Sequence, residues 1–238
     1  MASSPSGCAK AVPRKGKRVA SSVVKCAVSL LLHTIQAHDR RRLHRLARAH
    51  PGLQIDPSAS TNLAVARFVL SPGARLSIGA QVAAERMPGA LSFWLGPDAE
   101  IEIGARTWLR TEFGPIHLVA FAGARIVLGP DSGLSACHLS AKRAILAGRH
   151  AWIGPGCRVL DADQHALDAV TPERVAPITL GDHVWITSDV TVLRGVTLGA
   201  HSVIGARSLV AEDVPPHTLA CGNPARAQGR VGDRSRIE

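Results

Sequence analysis

From Leu180 the chain can be written in sixes as LGDHVW, ITSDVT, VLRGVT, LGAHSV, IGARSL and VAEDVP. The first position is aliphatic every time: Leu180, Ile186, Val192, Leu198, Ile204 and Val210. The fifth is small or β-branched every time: Val184, Val190, Val196, Ser202, Ser208 and Val214. A period of six with two inward positions matches neither a helix at 3.6 nor a two-faced strand at 2.0. It is the signature of a parallel β-helix, in which each hexad makes one flat side and stacked coils bury a column of aliphatic side chains. Upstream, Ala147 to Trp152, Ile153 to Arg158 and Val159 to Gln164 keep the frame, whereas IEIGARTWLR from Ile101 and RLSIGAQV from Arg75 keep it loosely.

Such a coil suits the composition. Of 238 residues 46% are hydrophobic but only 3% aromatic, and tyrosine is absent, so the core must be layered from Val, Ile, Leu and Ala. The expected fold is all-β, a parallel β-helix over residues 51–222, with a short α-helical basic arm over 1–50 and a C-terminal tail over 223–238.

The arm is set apart by charge. It holds 11 Lys or Arg and one acid, Asp39, for a net +10, which leaves 17 of each sign in residues 51–238 and a balance of zero there. Residues 1–18 read as disordered. From Val19, apolar residues at helical spacing (Val23, Val24, Ala27, Val28, Leu31, Ile35), followed by Leu43, Leu46 and Ala47 among arginines, predict two short amphipathic helices closed by Pro51 and Gly52. Helices of this kind either lie on an anionic membrane surface or pack their apolar stripe on the main domain. Without interleaved aromatics the arm carries no signature of nucleic-acid binding. The ten-residue apolar stretch VVKCAVSLLL contains Lys25, is too short to span a bilayer, and lacks a following small-residue cleavage site. Five cysteines, odd in number and without a CxxC pair, indicate a reducing, cytoplasmic setting in which the arm can reach the inner-membrane surface.

One stretch breaks the hexad frame. Continued from Ile153 and Val159, the frame brings His165 to the next inward slot, within DADQHALDAV. An imidazole flanked by Asp161, Asp163 and Asp168 cannot fill an aliphatic slot without a large desolvation cost. The chain must therefore leave the coil, and residues from about 163 to 177 are expected to form an excursion loop. Repeat proteins place such loops where they bind or react.

The segment VWITSDVTVLRGVTLGAHSVIGARSLVAEDVPPHTLACGNPAR, Val184 to Arg226, is similar to the closing coils of the bacterial hexapeptide-repeat acyltransferases, nearest to the maltose, galactoside and exopolysaccharide O-acetyltransferases. DVPP followed by GNPAR resembles that family's terminal signature, and DADQH resembles its D-x-D-x-H loop. The resemblance implies a left-handed coil, a handedness that periodicity does not reveal since parallel crossovers are otherwise right-handed. It also implies a homotrimer with sites between subunits, acetyl-CoA as acyl donor without a metal, and a sugar or polysaccharide-precursor hydroxyl as acceptor.

On the same resemblance His165 is the catalytic base, and Trp185 of the VW motif lies near the acyl-CoA arm. Asp163 or Asp161 is placed to fix the imidazole, with Asp161 also near the acceptor. Arg207, Arg226 and Arg230 are candidates for coenzyme A phosphates. Galactoside-type enzymes carry an asparagine about one and a half coils before the loop histidine, where this chain reads GLSACHLSA, so Ser135 or His138 is expected to take its part.

Two other function classes share the fold. A non-catalytic scaffold would keep the hexads without needing a polar loop. A carbonic-anhydrase-like metal hydratase would need three histidines and the H-x4-H spacing, which occurs here only as His33 and His38 in the arm. His183 and His201, one 18-residue coil apart, are expected to stack about 4.8 Å apart on one corner.

Overall fold

A computed structural model describes residues 16–236, with side chains from residue 27 onward. Most of the stretch expected to be disordered, residues 1–15 with Cys8, lies outside the described residues, as does the Cys26 side chain.

One continuous α-helix, Gly16–Ala49, replaces the two expected helices. No proline or glycine interrupts residues 17–49, so nothing ends the helix between the two apolar stretches. By contacts the chain divides into two units between His38 and Asp39, residues 1–38 and 39–238. In the second unit the last helical turns are fastened to the coil. Asp39 is buried and accepts from Arg86 Nε at 2.9 Å and Nη2 at 3.1 Å, and Leu43 joins the core. In the first unit Val28, Leu30, Leu31 and Leu32 are all exposed. No helix among the described residues is long and apolar enough to cross a membrane.

The rest is a left-handed parallel β-helix. The chain visits three parallel sheets in turn, and each sheet is one face of the coil. The first face runs from Leu53–Ile55 to Thr197–Leu198, the second from Ala83–Ala84 to a closing hairpin, and the third from Arg67–Leu70 to Leu209–Val210. Gly52 starts it, because a Cβ there would collide with the Ala74 carbonyl of the next coil. The hairpin of Thr218–Gly222 and Ala225–Arg230 ends it with the only antiparallel strand pairing among the described residues' strands.

Every first and fifth hexad position from Leu180 to Val214 is buried, Ser202 and Ser208 included. The looser upstream frame has a simple cause. Ile101 pairs with Leu76 and with Ile126, so the coils on either side of it are longer than three hexads, whereas the coil from Ile126 to its partner Ile145 is close to three. Strands of five residues, Leu91–Leu95 and Ile116–Ala120, lengthen the third face and absorb part of the excess. Parallel pairing and inward aliphatics persist while the strict period does not.

Candidate functional site

Between Arg158–Leu160 and Ile178–Leu180 the coil is interrupted. On the second face Trp152 pairs with Trp185, and Trp185 with Val203. The first of these coils is nearly twice the length of the second, and the excess is the insertion. Its base is stitched as an antiparallel pair: Ala162 bridges Val175, the Asp163 N–H donates to the Arg174 carbonyl, and the Ala176 N–H donates to that of Asp161.

Each polar residue of the loop but one has a structural partner. Asp161 is fully buried, and its carboxylate accepts the backbone N–H groups of Lys142, Arg143 and Ala144, all at 2.7 Å. Burial pushes its pKa up against the pull of those three amides. Asp163 accepts from Arg194 Nε at 2.5 Å and Arg174 Nε at 3.3 Å, and the Arg194 contact foremost holds it below the usual carboxylate range. Asp168 caps the tip, accepting from the N–H groups of Val170 and Thr171. Glu173 pairs with Lys142 at 2.7 Å. His165 is exposed and has no hydrogen-bond partner among the described residues.

Two expectations change here. Asp163 gives its carboxylate to two arginines and not to His165, because the returning strand and the following coil bring guanidinium groups closer than the loop brings the imidazole. Asp161, at 0% exposure, gives its carboxylate to three backbone amides beneath the loop.

A separate groove of about 180 Å³ lies on the second face, lined by Trp152, Trp185, Ser135, Phe113 and Arg110. Trp152 and Trp185 are neighbours on adjacent rungs, and Gly133 occupies the rung before. A Cβ on Gly133 would run into the Trp152 ring, so the glycine is what lets the indole lie across it. The Arg110 guanidinium sits over Trp108 and Phe113 at 4.5 and 4.6 Å. Trp185 is 41% exposed, with Arg234 above its ring at 5.1 Å. The structure thus unites Ser135 and Trp185. His138 stands on the third face beside His117, its pKa lowered by burial and by His117 and Arg158. A hollow of about 290 Å³ beside the loop is lined by Asp163, Gln164, Arg194 and Leu193 and shares no residue with the groove.

Among the candidate phosphate contacts, Arg207 and Arg230 are exposed with no side-chain partner among the described residues, while Arg226 pairs with Glu212 at 3.2 Å. His183 and His201 stack with ring centroids 4.9 Å apart and planes within 4°, in a ladder that also includes His150 at 5.0 Å and His217 at 4.7 Å. All four have φ between 56° and 61°, a left-handed corner that histidine tolerates better than most residues. The His183, His201 and His217 rings stack nearly parallel while His150 is tilted by 54°, and no three metal-ligating side chains converge among the described residues. The His201 Nδ1 accepts the Arg234 N–H at 3.0 Å.

Trp152, Arg110, Lys142 and Arg194 were not singled out by sequence. Trp152 had a signal, since it fills the sixth position of its hexad as Trp185 does of its own. Lys142 had none, because its partners lie 22 and 31 residues away across the loop.

A left-handed parallel β-helix closed by DVPP and GNPAR, with one histidine-bearing insertion, defines a hexapeptide-repeat protein. No family model matches the chain. The galactoside O-acetyltransferase of Escherichia coli is 48% identical over 60 residues, 25% of this chain and 30% of that protein. The hexapeptide-repeat acetyltransferase of Vibrio cholerae is 32% identical, covering 56% of this chain and 74% of that one, with a TM-score of 0.49. The maltose O-acetyltransferase of Clostridium difficile is 28% identical over 56% of this chain and 70% of that one, also at 0.49. On this sequence identity the chain belongs to the hexapeptide-repeat acetyltransferases. It spans about 30% of the length of the first curated relatives it matches.

Proposed function

We propose that the chain is an acetyl-CoA-dependent O-acetyltransferase that acts on a hydroxyl of a sugar or polysaccharide precursor, with His165 as general base. The observation that carries this reading is that the loop's aspartates, Glu173 and Arg174 are all spent on folding, while His165 is held out unpartnered. Only histidine has an ordinary pKa suited to taking a hydroxyl proton near neutrality. The hydroxyl proton passes to the imidazole as its oxygen attacks the thioester carbonyl carbon. A backbone N–H or side-chain donor holds the oxyanion, the C–S bond breaks, and the imidazolium returns the proton to the departing thiolate. The products are an acetyl ester and the free thiol.

Groove and loop lie apart in one copy, which supports a site completed between copies of a homotrimer. The loop tip presents Leu167 and Val170 at 76% and 87% exposure, apolar surface that a second copy would cover. Trp185 and Trp152 offer a wall for the acyl-CoA arm, and Arg207 and Arg230 are free to meet phosphate. Coenzyme A release from acetyl-CoA with a panel of saccharides tests the activity. Trp185→Ala should raise KM for acetyl-CoA roughly fivefold, as loss of one aromatic wall costs about 1 kcal/mol. An unchanged KM would remove Trp185 from the donor site, and no release with any saccharide would return the fold to a scaffold.

The helix supports a second, compatible reading, peripheral contact with an anionic membrane from the cytoplasmic side. Val28 and Leu30 to Leu32 stand exposed, and Arg40, Arg41, Arg42, Arg45 and Arg48 follow, each worth about 1 kcal/mol near anionic lipid. Binding to vesicles containing anionic phospholipid should fall at least tenfold in Leu31→Glu/Leu32→Glu. Equal binding by variant and native protein would rule the helix out.

A further inference from the structure

We propose that Lys142 is a positioning residue for His165, acting through the backbone carbonyl of Gln164. The inference rests on His165 being the base and names what aims it.

Gln164 precedes His165 and has φ of 71°, the one residue of the insertion with positive φ. A non-glycine residue in this region is strained by its Cβ and persists only where surrounding contacts over-determine it. The Lys142 ammonium supplies such a contact, donating to the Gln164 carbonyl at 3.2 Å. Its other donors go to both Glu173 oxygens, at 2.7 and 2.8 Å, and its charge faces the Phe121 ring at 5.2 Å. One side chain therefore ties the outgoing strand at Gln164 to the returning strand at Glu173.

The clamp is itself held. The Lys142 backbone N–H donates to the buried Asp161 carboxylate, so the ammonium is referenced to the coil and not to the loop it grips. The Lys142 and Glu173 side chains are only 22% and 24% exposed, which limits competition by water. A left-handed residue reverses the chain direction, so the direction in which His165 leaves the backbone is set by the conformation that Lys142 holds. Without the ammonium, Gln164 is free to relax to ordinary φ and turn the imidazole elsewhere. A misplacement of about 1 Å in a catalytic group can cost on the order of 10² in rate.

The test compares Lys142→Met, Glu173→Gln and His165→Asn in the full chain. Methionine keeps the apolar stem against Phe121 and removes the charge. The expected result is a fall in kcat of about 10 to 10² with KM for acetyl-CoA near native and the melting temperature little changed. Glu173→Gln should stay close to native, since a carbonyl acceptor remains for Lys142 and the Gln164 contact survives. Imidazole ¹⁵N shifts of His165 should move in Lys142→Met and not in Glu173→Gln, a readout independent of turnover. Native kcat and unmoved shifts in Lys142→Met would overturn the proposal, as would a loss of activity that merely follows loss of fold. Full activity in His165→Asn would instead sink the base assignment, while the shifts would still report whether Lys142 orients that ring.

Discussion

Replacing His165 by asparagine should lower acceptor-dependent kcat by about 10² to 10⁴, or roughly 3 to 5 kcal/mol of barrier, and leave the fold intact. Asparagine retains hydrogen-bonding capacity but has no basic nitrogen. Because His165 is exposed and makes no hydrogen bond among the described residues, its replacement removes no structural contact. The contrast with Asp163 is the control. That carboxylate holds Arg174 and Arg194 together, so Asp163→Asn should loosen the loop as well as slow the reaction. A loss of less than tenfold in His165→Asn would move the base elsewhere. His138 is the next imidazole to examine, though burial and its cationic neighbours disfavour its charged form.

How much of this was legible follows from distance along the chain. The hexads repeat within six residues, so the inward columns from Leu180 to Val214 could be counted directly, buried Ser202 and Ser208 among them. The insertion was legible as a violation of the same count, since a histidine cannot occupy an aliphatic slot. Its internal wiring was not. Asp161 reaches back 17 to 19 residues to three amides, and Asp163 reaches forward 31 to Arg194, pairings that no local pattern encodes. The histidine ladder shows both cases at once. His183 and His201 were found by adding 18, but His150 was hidden because its coil is lengthened by the insertion. The two apolar stretches of the arm read as two helices, but no proline or glycine separates them and the chain keeps one helix through both.

Asp161→Ala should destabilise the loop and the coil beneath it by about 3 to 5 kcal/mol, although Asp161 touches no reacting group in the proposed mechanism. The substitution strands three partly buried N–H groups, those of Lys142, Arg143 and Ala144, each of which now donates at 2.7 Å to an acceptor. One unsatisfied buried donor costs about 1 to 3 kcal/mol, and three around a single carboxylate relax together, so their costs do not sum fully. Folded domains are held by a total of only about 10 kcal/mol, so such a loss is severe. Asp161→Asn should recover only part of it, since a single oxygen can still accept from Arg143 and Ala144 but not from Lys142 as well. Both carboxylate oxygens accept, and an amide would turn its NH₂ toward an N–H that needs an acceptor. In a solenoid each coil leans on its neighbours, so the loss should first appear as local opening. Limited proteolysis at Arg174 should accelerate before the denaturation midpoint of the whole coil moves by its full amount. A change below about 1 kcal/mol in urea unfolding, with the loop still protected, would show that water replaces the carboxylate and that the corner is not built on Asp161.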